Sequence, residues 1–242
     1  MKNLEGKAGI VTGAGRGIGR AVALLMAQQG ASVIVNDVGA GREGQADKDD
    51  GASQVAAEIT KAGGKATANH DSVADYQAAG RMVRQCADTF GKIDFVVNAA
   101  GMLRERMIWN MTEDDFDAVI NVHLKGHWAM SHHAIKFMRR AGYGRIVNFS
   151  SDAFKGSVGQ CNYSAAKAGI IGLTRSIAKE TAIKELYGTP PGSADFTATQ
   201  TLLQPPADAK FVFGWTGPVL PTGSNAVGAT NDNPGTWVYV HY

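Results

Sequence analysis

The sequence predicts an α/β fold, a doubly wound parallel sheet with helices on both faces. Short apolar runs of strand length alternate with amphipathic segments of helical length through the first three quarters of the 242 residues. A cluster of glycines separates the first apolar run from the first helical segment. Strands that alternate with helices form crossover units, and these place the strands in parallel between two helical layers.

Each element is assigned from its own pattern. The predicted strands are Ala8 to Val11, Ser32 to Asn36, Lys65 to Asn69, Ile93 to Asn98 and Arg145 to Phe149. The predicted helices cover residues 17–29, 51–62, 75–90, 113–140 and 162–186. Gly30 follows the first helix as a C-terminal cap, and Thr112 with Asp115 forms a capping pair at the start of the fourth.

The charge and cysteine content argue against several classes of partner. The formal net charge of +2 comes from 24 basic and 22 acidic residues spread through the chain, so neither nucleic acid nor a membrane surface is expected to bind. Cys86 and Cys161 match no metal or redox spacing. No apolar stretch approaches the length of a membrane span, so we expect a cytoplasmic protein that binds a small molecule.

A glycine-rich turn follows the first predicted strand. Gly13, Gly17 and Gly19 expose backbone N–H groups at the start of a helix, where a pyrophosphate can approach without meeting side chains. Asp37 ends the second strand, where a carboxylate can accept hydrogen bonds from the adenosine ribose. Together these features indicate a Rossmann-like dinucleotide site. Asp37 favours NAD over NADP, whereas Arg16 lies close enough to weaken that preference.

A serine, a tyrosine and a lysine follow the fifth strand. Tyr163 and Lys167 lie one helical turn apart, and Ser151 precedes Tyr163 by twelve residues. A nearby ammonium and an oxidised nicotinamide would each lower the pKa of a tyrosine. Ser151 would hold the substrate oxygen while Tyr163 acts as general base in oxidation and general acid in reduction. Such a pair could also lie on a helix surface, but the upstream serine and the nucleotide motif favour catalysis.

These motifs resemble the short-chain dehydrogenases/reductases across residues 5–180. The matching elements are Thr12-Gly13-x-x-x-Gly17-x-Gly19, Asn98-Ala-Ala-Gly101, Ser151, and Tyr163-Ser-Ala-Ala-Lys167. The resemblance implies an NAD(P)-dependent oxidoreductase that interconverts a secondary alcohol and a ketone. The predicted cofactor contacts are Gly13, Arg16, Gly17, Ile18, Gly19, Asp37, Asp71, Ser72, Asn98, Ala99, Ala100, Gly101, Tyr163 and Lys167.

Further segments resemble the (3R)-hydroxyacyl-CoA dehydrogenase domains of the peroxisomal multifunctional enzymes of type 2. They are Val35 to Gly39, Asp71 to Val73, Gly101 to Arg106, Val122 to Gly126, Tyr143 to Ile146 and Gly159 to Ser164. This resemblance implies NAD and a 3-hydroxyacyl thioester substrate. A 3-oxoacyl-carrier-protein reductase, a steroid-type dehydrogenase and a catalytically impaired dinucleotide-binding protein are the alternatives. Helices 113–140 and 162–186 resemble those that pair family members, so a homodimer or homotetramer is expected.

His123 occupies the position at which the family often has an active-site asparagine. The multifunctional enzymes resemble this chain in having histidine there. His123 either supports Lys167 through a water molecule or packs within the helix. His123 and His127 also have metal-ligand spacing, but the sequence offers no third ligand and no metal is expected.

Two serines compete for the substrate-binding role. The interval between Ser151 and Tyr163 is one residue shorter than the commoner family spacing. Counting back from Tyr163 selects Ser150, whereas counting from the end of the strand selects Ser151. We favour Ser151, because the strand end determines which side chain faces the cleft.

The composition changes near residue 188. All seven prolines follow that point, and Lys210 is the only lysine or arginine there. We therefore predict a dinucleotide-binding and catalytic domain over 1–187 and an atypical segment over 188–242. The resemblance implies a sixth strand of the Val-Asn-x-Ile-x-Pro-Gly kind after the tyrosine helix, and the chain leaves almost no room for it. Divergence, an internal deletion and a shifted reading frame would each produce this pattern.

The connection over residues 38–50 is long and charged. Its simplest interpretation is a mobile surface loop. The alternative is a flap over the adenosine end of the cofactor.

Overall fold

A computed structural model describes residues 2–41, 43–45 and 50–182, together with the backbone of residues 212–215 and 237–239. The parallel strands are β1 (Ala8–Thr12), β2 (Ser32–Asn36), β3 (Lys65–Asn69), β4 (Phe95–Asn98) and β5 (Arg145–Ser150). The helices are α1 (Gly17–Gln28), α2 (Gly51–Lys61), α3 (Tyr76–Phe90), α4 (Glu113–Ile120), α5 (Gly126–Ala141) and α6 (Cys161–Ala182). None of the described helices is long and apolar enough to cross a membrane.

The five predicted strands and the parallel doubly wound sheet are confirmed. The strand order is β3-β2-β1-β4-β5, and every pair within this set is parallel. Two further strands, β6 (Val212–Trp215) and β7 (Trp237–Tyr239), continue the sheet beyond β5 as antiparallel neighbours. An antiparallel strand therefore lies beside β5. The predicted end of the last helix, residues 183–186, lies outside the described residues.

The predicted single helix over 113–140 is wrong in one respect. Helices α4 and α5 are separated by a π-helical turn over Asn121–Lys125. One extra residue in such a turn rotates the following side chains relative to an ideal helix, and π turns occur often at functional sites. The predicted capping pair is present, because the Thr112 hydroxyl accepts a hydrogen bond from the Asp115 N–H at 3.1 Å.

Two apolar layers cover the two faces of the sheet, because successive strand residues point to opposite sides. Val11, Val33 and Val97 pack with α1 and α2 in one layer. Ile10, Ile34 and Val96 pack with α3 and α5 in the other. Strands that are buried on both faces need apolar residues at nearly every position, and β1 shows this pattern with all five residues buried.

Polar contacts fix α6 against β5. The Ser150 hydroxyl donates to the Lys167 main-chain carbonyl at 2.9 Å, and Lys167 Nζ donates to the Phe149 carbonyl at 2.6 Å. Further along α6, Asn148 Nδ2 donates to the Thr174 hydroxyl at 2.9 Å. Lys167 is only 4% exposed. The helix is therefore held at a fixed height above the carboxyl end of β5.

Burial lowers the pKa of Lys167 to about 7 from its ordinary value of 10.5. Between these two values the unfolded chain binds a proton that the folded chain does not, so the free energy of unfolding rises with pH over this window. We predict that the stability of the wild type relative to Lys167→Met increases by roughly 1 to 2 kcal/mol between pH 7 and pH 9, as measured by urea unfolding.

Lys179 is exposed on the same helix, and Lys179→Met is the matched control. The difference in stability between the wild type and this control should stay constant over the same pH range. A constant difference for Lys167→Met as well would show that Lys167 keeps its charge in the folded chain.

Candidate active site

A cleft of about 390 Å³ opens at the carboxyl ends of β1, β2 and β4. Ligands of open α/β sheets bind at this edge, where the strand order reverses direction. Of the predicted cofactor contacts, Gly13, Arg16, Ile18, Gly19, Asp37, Ser72, Ala99, Ala100 and Gly101 line the cleft. The sequence interpretation missed Asn36, Val73, Met102 and Val122, and it placed Val38, Ala40, Gly41 and Gly44 near the cofactor only in its alternative of a flap over 38–50.

The glycine turn is shaped by the close approach of β4. Gly13 has a φ of +62°, and a Cβ placed there would lie 2.7 Å from the Ala100 Cα. A Cβ at Gly19 would collide with the main-chain carbonyl of Gly13. Arg16 precedes α1 without a side-chain capping bond, so the first N–H groups of this helix are left for an anion. The turn therefore fits the pyrophosphate of a dinucleotide.

Thr12 joins the glycine turn to the end of β4. Its hydroxyl accepts hydrogen bonds from the N–H groups of Ala99 and Ala100, each at 3.1 Å. The side chain is buried, and it also donates to the Val97 carbonyl at 3.4 Å. The sequence interpretation included Thr12 in the motif without assigning it a role. A hydroxyl at the last position of an otherwise apolar strand is the signal that could have identified it.

Asp37 lies beside the glycine turn at the end of β2. One carboxylate oxygen accepts a hydrogen bond from the Gly15 N–H at 3.0 Å, and the other accepts from the Gly39 N–H at 2.9 Å. These contacts fix the carboxylate at the rim of the cleft. Each carboxylate oxygen can accept more than one hydrogen bond, so Asp37 can still receive ribose hydroxyl groups.

Five predicted cofactor residues are absent from the walls of this cleft, namely Gly17, Asp71, Asn98, Tyr163 and Lys167. Gly17 lies outside them with a φ of +54°. The Asp71 carboxylate is paired with Arg81 at 2.7 Å. Asn98 is buried, and its side-chain N–H donates to Asn148 on β5 at 2.8 Å. Asp71 and Asn98 thus cross-link the framework beneath the cleft, and a direct contact between either residue and the cofactor stays a prediction.

The structure separates the roles of the two serines. The Ser150 hydroxyl is buried and donates to the main chain of Lys167, as described above. The Ser151 side chain interacts with the Tyr163 hydroxyl in a way that lowers the pKa of Tyr163, and the Ser151 hydroxyl accepts from the Ala153 N–H at 3.3 Å. The geometry therefore favours Ser151 as the serine that faces a substrate oxygen.

Lys167 lies below the ring of Tyr163, with its Nζ 5.3 Å from the ring centroid. Burial raises the pKa of Tyr163, and the hydrogen bond with Ser151 partly offsets this increase. The expected lowering of this pKa by Lys167 is therefore not found in the chain alone. The physical reason is that burial disfavours charge on both residues, because it also lowers the pKa of Lys167 to about 7.

His123 lies between the cleft and Tyr163. Its Nε2 lies 3.1 Å from the Met102 nitrogen and 2.8 Å from the Met102 oxygen, and its ring meets the Tyr163 ring edge-on at 5.1 Å. A Cβ at Gly101 would lie 2.5 Å from the imidazole. Burial, and then the charge of Lys167, keeps the pKa of His123 well below 6.5, so this imidazole is neutral. These contacts show that His123 packs and positions its neighbours, whereas its predicted support of Lys167 through a water stays a prediction.

His127 is buried beneath the site on the next turn. Burial, and then the charge of Lys167, lowers its pKa to about 3. Two neutral imidazoles therefore lie near the buried amine of Lys167. In the part of the chain that the structure describes, no three His, Cys, Asp or Glu side chains come together as a metal site would require.

Asn162 is a further residue without a role in the sequence interpretation. It is 1% exposed, and its side-chain N–H donates to the Arg104 carbonyl at 3.0 Å and to the Asp115 carbonyl at 2.9 Å. Its side-chain oxygen accepts from the Tyr163 N–H at 2.8 Å. Asn162 therefore joins the start of α6 to the segment that leaves β4. Its position next to Tyr163 in the sequence is the signal that could have identified this role.

Comparisons with known proteins agree with this geometry. The family model for short chain dehydrogenases matches residues 7–205. Peroxisomal multifunctional enzyme type 2 of Mus musculus is 46% identical over 177 residues, which are 73% of this chain and 24% of that protein. Hydroxyacyl-CoA dehydrogenase ChsB1 of Mycobacterium tuberculosis is 41% identical over 186 residues, covering 73% of this chain and 57% of that protein.

A solved structure shows the same fold. The crystal structure of a short chain dehydrogenase from Mycobacterium avium superimposes with a TM-score of 0.68 at 50% identity, over 74% of this chain and 66% of that one. The chain spans about a quarter of the length of the mouse relative. The predicted resemblance is confirmed: the chain belongs to the short-chain dehydrogenase/reductase family, whose members are oxidoreductases.

Proposed function

We propose that the chain is an NAD-dependent dehydrogenase that interconverts a 3-hydroxyacyl-CoA and the corresponding 3-oxoacyl-CoA. The single observation that carries the reaction type is the placement of Tyr163 between Ser151 and the buried Lys167. The choice of substrate is supported by the segments that resemble hydroxyacyl-CoA dehydrogenases and by the relative that bears this name.

Ser151 and Tyr163 have different roles in the reaction. When bound, a nicotinamide dinucleotide supplies the hydride acceptor for oxidation and the hydride donor for reduction. Ser151 donates a hydrogen bond to the substrate oxygen and orients it towards Tyr163. Tyr163 takes the hydroxyl proton as the alcohol becomes a ketone, and returns a proton in the reverse direction.

Lys167 and His123 support Tyr163 in different ways. The Lys167 amine is held by the Phe149 carbonyl directly beneath the tyrosine ring, so a proton on Lys167 stabilises a phenolate. His123 is neutral and fills the space beside the same ring, which limits the positions that the ring can adopt. The two residues therefore control the charge and the orientation of Tyr163 separately.

The NAD preference rests on Asp37. Its carboxylate is fixed at the rim of the cleft by two N–H groups, and a 2′-phosphate at that rim would meet a like charge. The nearby Arg16 is engaged, because its guanidinium donates to the Ala40 carbonyl. NAD is therefore the better fit, and the family implies a nicotinamide dinucleotide of either kind.

The function is tested by following NADH formation with four alcohols: a 3-hydroxyacyl-CoA, the same acyl group on a carrier protein, a hydroxysteroid and a simple secondary alcohol. We expect the CoA thioester to give the highest kcat/KM, and Tyr163→Phe to reduce kcat by a factor of about 10² to 10⁴. Folded protein that binds NAD but turns over none of the four faster than Tyr163→Phe would support the dinucleotide-binding alternative.

The two serines should respond differently to alanine. Ser151→Ala removes the contact with the substrate oxygen and should lower kcat by about 10²-fold, while loss of its bond to the Ala153 N–H should cost about 1 kcal/mol of stability. Ser150→Ala removes a buried bond to the Lys167 main chain, so unfolding should become easier by about 1 kcal/mol while most of kcat remains. Paired kinetic and thermal unfolding measurements check both, and the opposite pattern would assign the catalytic role to Ser150.

Removing the charge of Asp37 should relax the cofactor preference. We expect Asp37→Asn to shift the ratio of kcat/KM for NAD over NADP towards NADP by on the order of tenfold, equivalent to about 1.4 kcal/mol. Asp88→Asn, an exposed change on α3, is the matched control and should leave the ratio unchanged. The same ratio in all three proteins would refute the role of Asp37.

A further inference from the structure

Residues 38–41 and 43–45, here called the strap, pass over the adenosine side of the cleft. Val38, Ala40, Gly41 and Gly44 contribute to its walls. The strap folds as a compact turn, in which the Gly41 N–H donates to the Gln45 carbonyl at 2.7 Å and the Gly44 N–H donates to the Gly41 carbonyl at 3.0 Å. This arrangement favours the flap over the surface loop that the sequence most simply suggests.

The strap is attached at both sides of the cleft. On the side of the glycine turn, the Arg16 guanidinium donates to the Ala40 carbonyl. On the side of β4, the strap packs so closely on Met102 that a Cβ at Gly44 would lie 2.7 Å from the Met102 Cε. Gly44 also has a φ of +84°, which other residues rarely adopt. The strap therefore connects the wall formed by the glycine turn to the wall formed by the end of β4. A dinucleotide bound in the cleft would lie between these two walls.

Arg104 holds the strap on the β4 side. Its Nε donates to the Glu43 carbonyl at 3.4 Å, while its Nη1 pairs with the Asp114 carboxylate at the start of α4. The Asp115 carboxylate lies 3.8 Å from the same Nη1. The Arg104 side chain is 25% exposed, whereas the Asp114 side chain that it meets is largely exposed. One planar guanidinium therefore joins the strap to a fixed helix end, which a lysine could not do with a single nitrogen.

We propose that Arg104 is a positioning residue that latches the strap over the bound cofactor and thereby sets the rate at which NADH leaves. The inference rests on the proposed function, because it assumes that the dinucleotide occupies this cleft. Removing one side of the latch should speed the release of NADH, whereas the residues that carry out the chemistry are untouched.

The test is a stopped-flow measurement in which excess NAD displaces NADH from the protein and the NADH fluorescence is followed. We expect Arg104→Gln to release NADH roughly two- to fivefold faster, the range for one lost hydrogen bond of modest strength. Gly44→Ala, which strains the strap and collides with Met102, should act in the same direction. Arg140→Gln, an exposed change at the end of α5, is the control and should leave the rate unchanged.

Steady-state values of KM for NAD and of kcat distinguish a loosened latch from a disturbed α4. A loosened latch raises KM for NAD without lowering kcat, whereas a disturbed α4 lowers kcat. Arg104→Lys keeps the charge opposite Asp114 but cannot also reach the Glu43 carbonyl, so it should release NADH nearly as fast as Arg104→Gln.

If Arg104→Gln and Gly44→Ala both release NADH at the wild-type rate, the strap proposal is overturned and the proposed function is unaffected. If Arg104→Lys releases NADH at the wild-type rate, Arg104 acts only as a charge partner of α4. That result would overturn its role as the latch. No binding of NADH by the folded wild type would overturn the proposed function together with the strap.

Discussion

The hydrogen bond from Lys167 Nζ to the Phe149 carbonyl, 2.6 Å long and buried, is the contact on which the site depends. It ties a side chain of α6 to the main chain of β5, and the Ser150 hydroxyl ties the main chain of the same lysine to the same strand. Two bonds at one residue leave α6 little freedom to slide or rotate. Because Tyr163 lies one turn earlier on α6, its distance from the strand end, and so from Ser151, is set by these bonds.

The same burial determines the electrostatics of the site. Among the described residues no carboxylate forms a hydrogen bond or an ion pair with Lys167, so this buried amine is uncharged more easily than in water. Burial also keeps the neighbouring His123 and His127 neutral. A site with two protonated imidazoles beside a protonated lysine would repel its own charges. The neutral imidazoles leave Lys167 as the group that can respond to negative charge developing on Tyr163.

Local pattern was enough to predict β1 to β5, most of the helices and the glycine turn, because each depends on periodicity or on residues close in sequence. The π turn that contains His123 could not be predicted, since hydrophobic spacing is nearly the same for one long helix and for two helices with an extra residue between them. The choice between Ser150 and Ser151 needed the position of α6. The contact of Gly44 with Met102 spans 58 residues and leaves no local signal, so the strap could be offered only as an alternative.

The segment after β4 contacts His123, the start of α6 and the strap. The Met102 main chain meets His123, the Arg104 carbonyl accepts from Asn162, and the Arg106 N–H donates to the Gly159 carbonyl at 2.8 Å before α6. The Arg104 side chain meanwhile reaches the strap. Asn162 in turn holds the N–H of Tyr163 through its side-chain oxygen. Because the strap is held by the Arg104 side chain and Tyr163 is held through the Arg104 main chain, a change of that side chain loosens the strap while the main-chain contacts that align the tyrosine remain.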